Sequence, residues 1–597
     1  MARNKEEKMT RNIIIGASAL ALMAGTAHAQ VSYSLGGNTW TPPDNESAYT
    51  DQDGDNNEAF VDQADGEEGV SFIKQDNTDG GDGHYADVKQ SDGTGTSPTF
   101  SYPNNVSMVN QQGDGEGFAL VTQENNNQIT PPAGPNTVLI DQDSLTDGNP
   151  LLGAIDRDGN AIGQNGDQFN AVAYADQLGA GNNLVVRQVG SANWADSDQT
   201  GDDNDSRIRQ SDDSFVGNGV NTAMVEQDGD RNFSAVDQER LGFSLGNQMA
   251  DVLQMGDDND SRVRQRTPLG GDQLAEIRQM GNSDFSSVDQ EFSVIGRNRA
   301  FVRQEGVLTG SESRINQEDG FNVARVDQKG DEHDSRIRQS SLDDDGPGLL
   351  GRNRAVVNQE GTGHSSVVDQ SSPFSLSART RAFVDQIGGS GNSSIVRQAA
   401  TEEVGAPTPE VQYAEVTQTN STDSSSVIRQ NDFDQRAWVT QVAAINSSSI
   451  IDQFGDEGEA TVDQTGSDHT SRILQDGSWN NAMVDQSGDG NDSVVRQFGG
   501  YNDADVLQTG MDGNSVIVQD GNRNMADLNQ AGSNNDSLIR QTGDDNEADV
   551  DQLASASGSL SEIFQDGMDN EAIVTQSATS YSLIEQTGNG NYANHSQ

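Results

Sequence analysis

The sequence predicts an all-β fold, a two-sheet β-solenoid in which two-strand, 22-residue units stack on one another. Three observations predict it. Glutamines recur every eleven residues, an aliphatic residue lies two positions before each of them, and a small residue that alternates between serine and alanine lies four positions before each. Assembly of further copies along the same direction would give a cross-β amyloid fibre.

The glutamine interval is the primary signal of a repeat. It is unbroken over ten residues of the C-terminal part: Gln453, Gln464, Gln475, Gln486, Gln497, Gln508, Gln519, Gln530, Gln541 and Gln552. Because side chains alternate faces along a strand, the small, aliphatic and glutamine positions share one face. Each unit is therefore expected to contribute short, half-buried strands. A helix is disfavoured, since its 3.6-residue period is absent and glycines are interspersed.

The alternation of the small residue sets the true repeat at two strands. Serine and alanine alternate backwards from Ala593 to Ala59, with only Leu184 and Val138 in place of serine. The array is thus expected to contain about 21 units and to extend over residues 48–597. Each strand should pair with its counterpart in the next unit, since an isolated hairpin is marginal in water.

Amide side chains are the expected structural ladder between units. An amide carries both donor and acceptor, so stacked glutamines can bond to one another at the strand spacing of about 4.8 Å. Turns of the form Gly-x-x-Asn separate the strands, because glycine and asparagine tolerate positive φ. The asparagines assigned to the ladder are Asn491, Asn502, Asn524, Asn535 and Asn546.

Composition excludes several classes of protein. Only 31% of residues are hydrophobic, against about 45–50% in ordinary globular domains, so a large apolar core is excluded. A formal charge of −60 argues against binding to nucleic acid or to an anionic membrane through a basic patch. There is no cysteine and hence no disulfide. Composition alone would indicate disorder, and the periodicity overrides it.

The N-terminal residues have the pattern of a secretory signal peptide. Basic residues precede a short apolar run that ends in Ala27, His28 and Ala29, the A-x-A pattern that precedes a cleavage site. The signal peptide is assigned to residues 1–29 and an N-terminal linker to 30–47. The apolar run is shorter than the roughly 20 residues of a membrane anchor, so no stable membrane insertion is expected.

Insertions interrupt the array at about 144–168, 340–351 and 399–410. The enlarged intervals follow serine strands and precede alanine strands, so they should all protrude at one edge of the solenoid. Proline and acidic runs within them are incompatible with central strands.

No constellation of catalytic or metal-ligating residues is evident, so the chain is predicted to be neither an enzyme nor a cofactor-binding protein. His84, His333, His364 and His469 each stand six residues before a repeat glutamine, the position that asparagine usually occupies. Acidic turns at 201–205 and 256–260 are weakly similar to calcium-binding loops. We interpret them as solvated turns.

Outward positions are mixed. The residue before each serine-strand glutamine mostly alternates in charge, which predicts an ion-pair column that favours one register: Arg209, Asp237, Arg264, Asp289, Asn316, Arg338, Asp369 and Arg397. Trp194, Trp438 and Trp479 are expected at outward or turn positions, and Gln412 is expected to be an outward glutamine.

One full unit has the pattern S-x-I-x-Q-x-G-x-x-N-x-A-x-V-x-Q. It is formed by Ser537, Ile539, Gln541, Gly543, Asn546, Ala548, Val550 and Gln552, and it recurs over residues 59–597. This pattern resembles the repeat of curlins, the subunits of curli fibres. The resemblance implies a secreted functional amyloid of the cell surface, a fimbrium that acts in adhesion and biofilm matrix. It also implies self-polymerisation, a minor curlin-like nucleator and an outer-membrane secretion pore as partners.

Two other functions are compatible with the repeat. A monomeric secreted β-solenoid adhesin would use a flat outer face rather than polymerisation. A calcium-dependent repeat protein would need the cation to fold.

Overall fold

The structure is a computed structural model that describes most of the repeat array. The described residues are 33–35, 38–40, 47–54, 57–64, 69–77, 84–92, 105–113, 117–125, 136–144, 151–152, 168–169, 171–190, 192–214, 220–242, 246–267, 271–291, 297–306, 309–319, 321–340, 352–372, 379–400 and 411–597. The chain divides into two compact units, Met1–Arg262 and Val263–Gln597. The signal peptide with Ala27 and Ala29, and most of each insertion, lie outside the described residues.

The described residues contain strands and no helix, which confirms the all-β prediction. Two short pairs are antiparallel: Tyr33–Leu35 with Asn38–Trp40, and Leu151–Leu152 with Gln168–Phe169. All other strands belong to two parallel sheets, which we name the serine sheet and the alanine sheet after the small residue in their strands.

In the unit Met1–Arg262 each sheet has seven described strands. Those of the alanine sheet are Glu58–Ala64, Tyr85–Asp92, Gly117–Asn125, Ala171–Leu178, Asn193–Thr200, Asn221–Asp228 and Gln248–Met255. Those of the serine sheet are Ser47–Gly54, Gly69–Asn77, Asn105–Gly113, Asn136–Ser144, Asn183–Val189, Asp205–Ser214 and Phe233–Gly242. A further strand, Asp260–Thr267, contains the boundary between the units.

The unit Val263–Gln597 contains most of the regular repeats. Its alanine-sheet strands are Asp272–Met280, Arg297–Glu305, Phe321–Asp331, Arg352–Thr362, Arg379–Ser390, Val411–Thr419, Arg436–Ile445, Glu459–Ser467, Asn481–Asp489, Asp503–Gln508, Met525–Gln530, Glu547–Gln552, Glu571–Gln576 and Tyr592–Ser596. Its serine-sheet strands are Phe285–Glu291, Glu312–Glu318, Asp334–Ser340, Ser365–Ser371, Ser393–Ala399, Ser425–Asn431, Ser448–Phe454, Thr470–Asp476, Asp492–Gly500, Asn514–Asn522, Asp536–Asp544, Leu560–Met568 and Tyr581–Asn589.

Within each unit, strands of one sheet pair in parallel and in register. Ala526 lies between Ala504 and Ala548 in the alanine sheet. In the serine sheet Leu184 pairs with Val138, as the sequence pattern requires. The fold is thus the predicted two-sheet β-solenoid. From Ala59 onward the serine–alanine alternation identifies the sheet of each described repeat strand, whereas the first strand, Ser47–Gly54, places Ala48 beside Ser71 in the serine sheet.

The core between the sheets is thin and consists of three rows. Outside the strands Ser47–Gly54, Glu58–Ala64 and Tyr592–Ser596, the alanines, the aliphatic residues and the glutamines of the described repeats are almost completely buried, and their neighbours in the strand face outward. In the serine row, several hydroxyls, including those of Ser493 and Ser537, are buried without a hydrogen-bond partner among the described residues. Nothing in the structure explains why serine is used there in place of alanine.

Backbone φ and the close stacking of successive turns both require glycine at the turn position of Gly543. In the turn 543–546, Gly543 has a φ of 103° and Asp545 a φ of 56°. A Cβ on Gly543 would lie 2.1 Å from the carbonyl oxygen of Gly567 in the next turn, so close stacking as well as φ demands glycine. The expectation that asparagine supplies positive φ is wrong for the last residue of this turn. Positive φ falls on the residue before Asn546, whose own role is hydrogen bonding.

The described strands lie on both sides of the predicted insertions, whose bounds stay a prediction. For example, the interval 341–351 follows the serine-sheet strand Asp334–Ser340 and precedes the alanine-sheet strand Arg352–Thr362. The inserted residues of this interval, and those at 401–410, lie outside the described residues, so their protrusion stays a prediction.

Candidate functional site

The ten repeat glutamines of the regular block form two rows of side-chain hydrogen bonds, one in each sheet. Each is at most 2% exposed. In the serine sheet the Nε2–Oε1 distances are 2.8 Å for Gln453 to Gln475, 2.9 Å for Gln475 to Gln497, and 3.0 Å for both Gln497 to Gln519 and Gln519 to Gln541. In the alanine sheet they are 2.8 Å for Gln464 to Gln486, 2.9 Å for Gln486 to Gln508, 2.7 Å for Gln508 to Gln530, and 2.9 Å for Gln530 to Gln552.

Each amide also connects the two sheets. Nε2 of Gln519 donates to the carbonyl oxygen of Asp503, in the alanine sheet, at 2.8 Å. Gln508 does the same in the opposite direction and donates to Asp492 at 3.2 Å. An amide nitrogen has two hydrogens to donate. One serves the neighbouring glutamine, and in Gln519 the other is shared between the carbonyl oxygens of Asp503 and, at 3.0 Å, Asn524. The periodicity alone gave no indication of this second bond.

Three of the predicted asparagines form one column at the start of the alanine strands. Nδ2 of Asn524 donates to Oδ1 of Asn502 at 3.2 Å, and Nδ2 of Asn546 donates to Oδ1 of Asn524 at 3.0 Å. The same Oδ1 atoms accept the backbone N–H of the next asparagine at 3.1 Å. These side chains therefore hold successive turns together.

Asn491 and Asn535 lie in a different column, at the start of the serine strands. Gly513 lies between them, so their amides do not form a continuous row. Oδ1 of Asn491 accepts the backbone N–H of Gly513 at 2.9 Å, and Oδ1 of Asn535 accepts that of Ser559 at 3.0 Å. The structure thus divides the five predicted asparagines between the two corners of the unit.

The prediction that Gln412 faces outward is wrong. Gln412 is 1% exposed, and Nε2 donates to the carbonyl oxygens of Ala399 at 3.1 Å and Asp432 at 2.7 Å. It stands six residues before Gln418, in the asparagine position of an alanine strand. A glutamine can fill that position because its amide offers the same donor and acceptor.

The four histidines take the corresponding position, and each is buried. In three of them Nε2–H donates within the preceding turn: His333 to Lys329 O, His364 to Glu360 O and His469 to Thr465 O, at 3.1–3.2 Å. Nδ1 accepts the backbone N–H of the next unit, from His364 to His333 at 3.4 Å and from Asn392 to His364 at 3.3 Å. The neutral imidazole therefore reproduces both bonds of the asparagine that it replaces.

These bonds predict an acid-sensitive segment. The rings of His333 and His364 stack with centroids 5.3 Å apart. Burial lowers the pKa of His333, and burial together with the neighbouring imidazole lowers the pKa of His364. The unfolded value is about 6.5, so this contribution to stability is present above pH 6.5 and is lost as the pH falls through the lower folded pKa.

We expect hydrogen exchange of the amides in Asp334–Ser340 and Ser365–Ser371 to accelerate as the pH is lowered below about 6.5, after correction for intrinsic exchange. Each unit of pKa difference corresponds to about 1.4 kcal/mol. The matched variant, His333→Asn with His364→Asn, keeps the position filled by an amide that does not titrate. Equal acid sensitivity of this variant and the natural protein would contradict the assignment to the histidines.

The predicted charge column forms exposed ion pairs. Arg209 and Asp237 are 4.0 Å apart, Arg264 and Asp289 3.5 Å, and Arg397 and Asp369 3.8 Å. Exposed pairs of this kind contribute about 0–1 kcal/mol each. The alternation ends on both sides of the column from Arg209 to Arg397. In the neighbouring strands Arg187 lies beside Arg209, and Arg429 lies beside Arg397.

The acidic turns bond to backbone. Oδ1 of Asp202 accepts the N–H of Ala180 at 2.9 Å, Asp230 accepts that of Asp202 at 2.8 Å, and Asp257 accepts that of Asp230 at 2.9 Å. These carboxylates therefore join successive turns. Over the described residues, no three side chains of His, Cys, Asp or Glu are grouped so that they could hold a metal ion.

Trp194 and Trp438 lie half-buried on the outer side of the alanine sheet, beside Tyr174 and Tyr413 respectively. Trp479 lies at a turn, is 51% exposed and stacks on Tyr501 with ring centroids 5.8 Å apart. All three thus occupy outward or turn positions, as expected.

Comparison with known families gives one finding. Residues 179–211, 470–499 and 521–553 match the family model described as Curlin associated repeat. These stretches lie within the two sheets and contain six of the ten ladder glutamines named above. No curated protein matches the chain. In the part of the chain that the structure describes, no helix has the length and hydrophobicity needed to cross a membrane.

Proposed function

We propose that this curlin-repeat protein is the structural subunit of an extracellular fibre, which grows as copies add to one another along the stacking direction. Curlin repeats form a structural rather than a catalytic family and are in general those of extracellular fibre proteins. In this role the chain's main partner is another copy of itself. The fibre serves cell adhesion and the biofilm matrix, and needs neither cofactor nor catalytic residue.

The observation that carries the proposal is that the same hydrogen bonds recur between successive turns. Among the described residues, an interior turn offers the next one a row of backbone groups and the amide of a buried glutamine. A strand edge of this kind is a template for a further strand. The last two strands of the described array, Tyr581–Asn589 and Tyr592–Ser596, pair with Leu560–Met568 and Glu571–Gln576. A second copy would add to such strands through the pairing already repeated within the chain.

The proposal includes export and nucleation. The N-terminal pattern of residues 1–29 supports secretion, and the resemblance to curlins supports an outer-membrane secretion pore and a minor curlin-like nucleator as further partners. The chain would then work outside the cell, as a fimbrium on its surface.

Fibre diffraction and electron microscopy of the purified mature chain test the proposal. We expect unbranched fibres with a meridional reflection at about 4.7–4.8 Å, the strand spacing of a parallel stack. Thioflavin fluorescence should rise equally in calcium and in a chelator, because the acidic turns bond to backbone. A persistently monomeric chain that folds only with calcium would contradict the proposal and favour a calcium-dependent repeat protein.

A further inference from the structure

The outer sides of the two sheets differ in charge within residues 459–552. We name the outward residues of the alanine sheet here the alanine face; its charged members are Glu459, Asp463, Asp485, Asp503, Asp505, Asp527, Glu547, Asp549 and Asp551. No lysine or arginine lies among its outward positions. The alanine face is therefore an acidic surface without an internal counter-charge.

The outer side of the serine sheet is basic and apolar over the same turns. The two central columns of its outer side, which we name the serine face, contain only arginine and aliphatic residues: Arg472, Leu474, Val494, Arg496, Val516, Val518, Leu538 and Arg540. Its aspartates lie only at the margins of the strands, at positions such as Asp492 and Asp536. The serine face is thus an apolar strip that carries cations.

Two of these cations lack a counter-charge within their own sheet. Arg496 lies between Leu474 and Val518 in register, and Arg540 lies between Val518 and Phe564. Neither guanidinium is within ion-pair distance of a carboxylate among the described residues, unlike Arg472, which contacts Asp452 at 3.5 Å.

The alanine face contains a column of neighbouring carboxylates that repel one another. Asp505, Asp527 and Asp549 are direct neighbours in register, and like charges in directly paired positions are destabilising. Burial, and then the charge of Asp527, raise the pKa of Asp505 and of Asp549. A cation brought from outside the sheet would relieve this repulsion.

We propose that the serine face of one copy docks on the alanine face of a second copy, with Arg496 and Arg540 against Asp505 and Asp549. The spacing supports this pairing, because the two arginines are 44 residues apart and the two aspartates are also 44 residues apart. That separation is two turns of the solenoid, about 10 Å in each sheet. The cations and the anions therefore match in distance as well as in sign.

The apolar residues also match. Met483, Leu507 and Met525 are 38%, 39% and 42% exposed on the alanine face. Docking would place them against the valines and leucines of the serine face. Two sheets pack face to face at about 10 Å, which is the thickness of one layer of side chains from each.

The contact joins different surfaces of the two copies, so each copy keeps one face open for another. Copies would therefore associate side by side in layers. This lateral association is independent of the end-to-end growth proposed above, since it uses the faces of the sheets and not their edges.

The test is the variant Arg496→Glu/Arg540→Glu in the full mature chain. Sedimentation velocity at low, constant ionic strength measures lateral association of the soluble protein, and electron microscopy measures filament width. We expect a loss of about tenfold or more in the association constant, which corresponds to about 1.4 kcal/mol, and a shift from paired to single filaments.

The matched control is Arg231→Glu/Arg523→Glu, which changes the net charge equally. These arginines pair with Asp258 and Asp545 at turns, away from both faces, so association should remain as in the natural protein. Mixing the first variant with a chain carrying Asp505→Arg/Asp549→Arg should restore association, because the signs again match across the contact.

Equal association of the test and control variants, or no recovery on mixing, would overturn the docking proposal. So would a natural protein that shows no lateral association under these conditions. Lateral association is measured by soluble dimers and filament width, and fibre growth by filament length. A chain that associates laterally but never forms fibres would therefore refute the proposed function and leave the docking proposal standing.

Discussion

Replacing Gln519 by alanine is expected to slow fibre growth and to open the stack locally. Gln519 accepts from Gln497 at 3.0 Å and donates to Gln541 at 3.0 Å and to Asp503 at 2.8 Å. Removal of the amide leaves the buried Oε1 of Gln541 without its donor and leaves a cavity between the sheets. Each buried polar group without a partner costs about 1–3 kcal/mol, so we expect a loss of about 2–4 kcal/mol at this turn.

Hydrogen exchange across residues 492–552 and thioflavin growth curves would measure this loss. The control is Asn514→Ala, which removes an exposed amide from the same strand and should change neither readout. Gln519→Leu keeps the approximate shape without the hydrogen bonds, and we expect it to fall close to the alanine variant. Growth as fast as that of the control would show that the amide row does not hold the turns together.

Gly521→Ala should have an even larger effect on the stack. Gly521 has a φ of 134°, and a Cβ there would lie 1.9 Å from the carbonyl oxygen of Gly543. Backbone of the next turn cannot move away without breaking the paired strands on both sides. We expect separation of the turns around residues 520–546, with a loss of more than about 3 kcal/mol, at the upper end of single-residue effects.

The matched control is Gly363→Ala. Gly363 also has a positive φ, 67°, but the nearest atom to an added Cβ is 3.9 Å away. The change there should cost only about 1–2 kcal/mol, the ordinary penalty of a left-handed residue. Chemical unfolding and exchange of the turn amides separate the two variants. Comparable losses would mean that φ, and not the close approach of turns, requires glycine at position 521.

The architecture could be predicted from the sequence because one face of each strand is specified by three positions of fixed spacing. From Ala59 onward, the alternation of serine and alanine identified the sheet of each described strand, even where Val138 and Leu184 replace serine. The repeat is regular enough that shifting a strand by one residue would expose its whole buried row.

Other features depended on the relation between the two sheets. The bond from Gln519 to Asp503 joins residues of different sheets, and its existence depends on how far one sheet is displaced relative to the other. Gln412 was misassigned because glutamine serves two positions of the unit, and residue type alone does not separate them. The residues of the complementary outer faces are present in the sequence. Their complementarity becomes evident only when the outward residues of the serine sheet are compared with those of the alanine sheet.

The nearest-neighbour pattern of contacts has a consequence for how such a chain changes in length. A turn of the solenoid contacts the turns before and after it through the same backbone pairing and the same amide row. After duplication or loss of one whole 22-residue unit, each serine strand therefore still pairs with a serine strand and each alanine strand with an alanine strand. A gain or loss of eleven residues would instead place a serine strand beside an alanine strand. Extra residues between a serine strand and the following alanine strand enter a corner and leave the core rows unchanged. Copy number and corner length can thus vary through evolution while the spacing within each strand cannot.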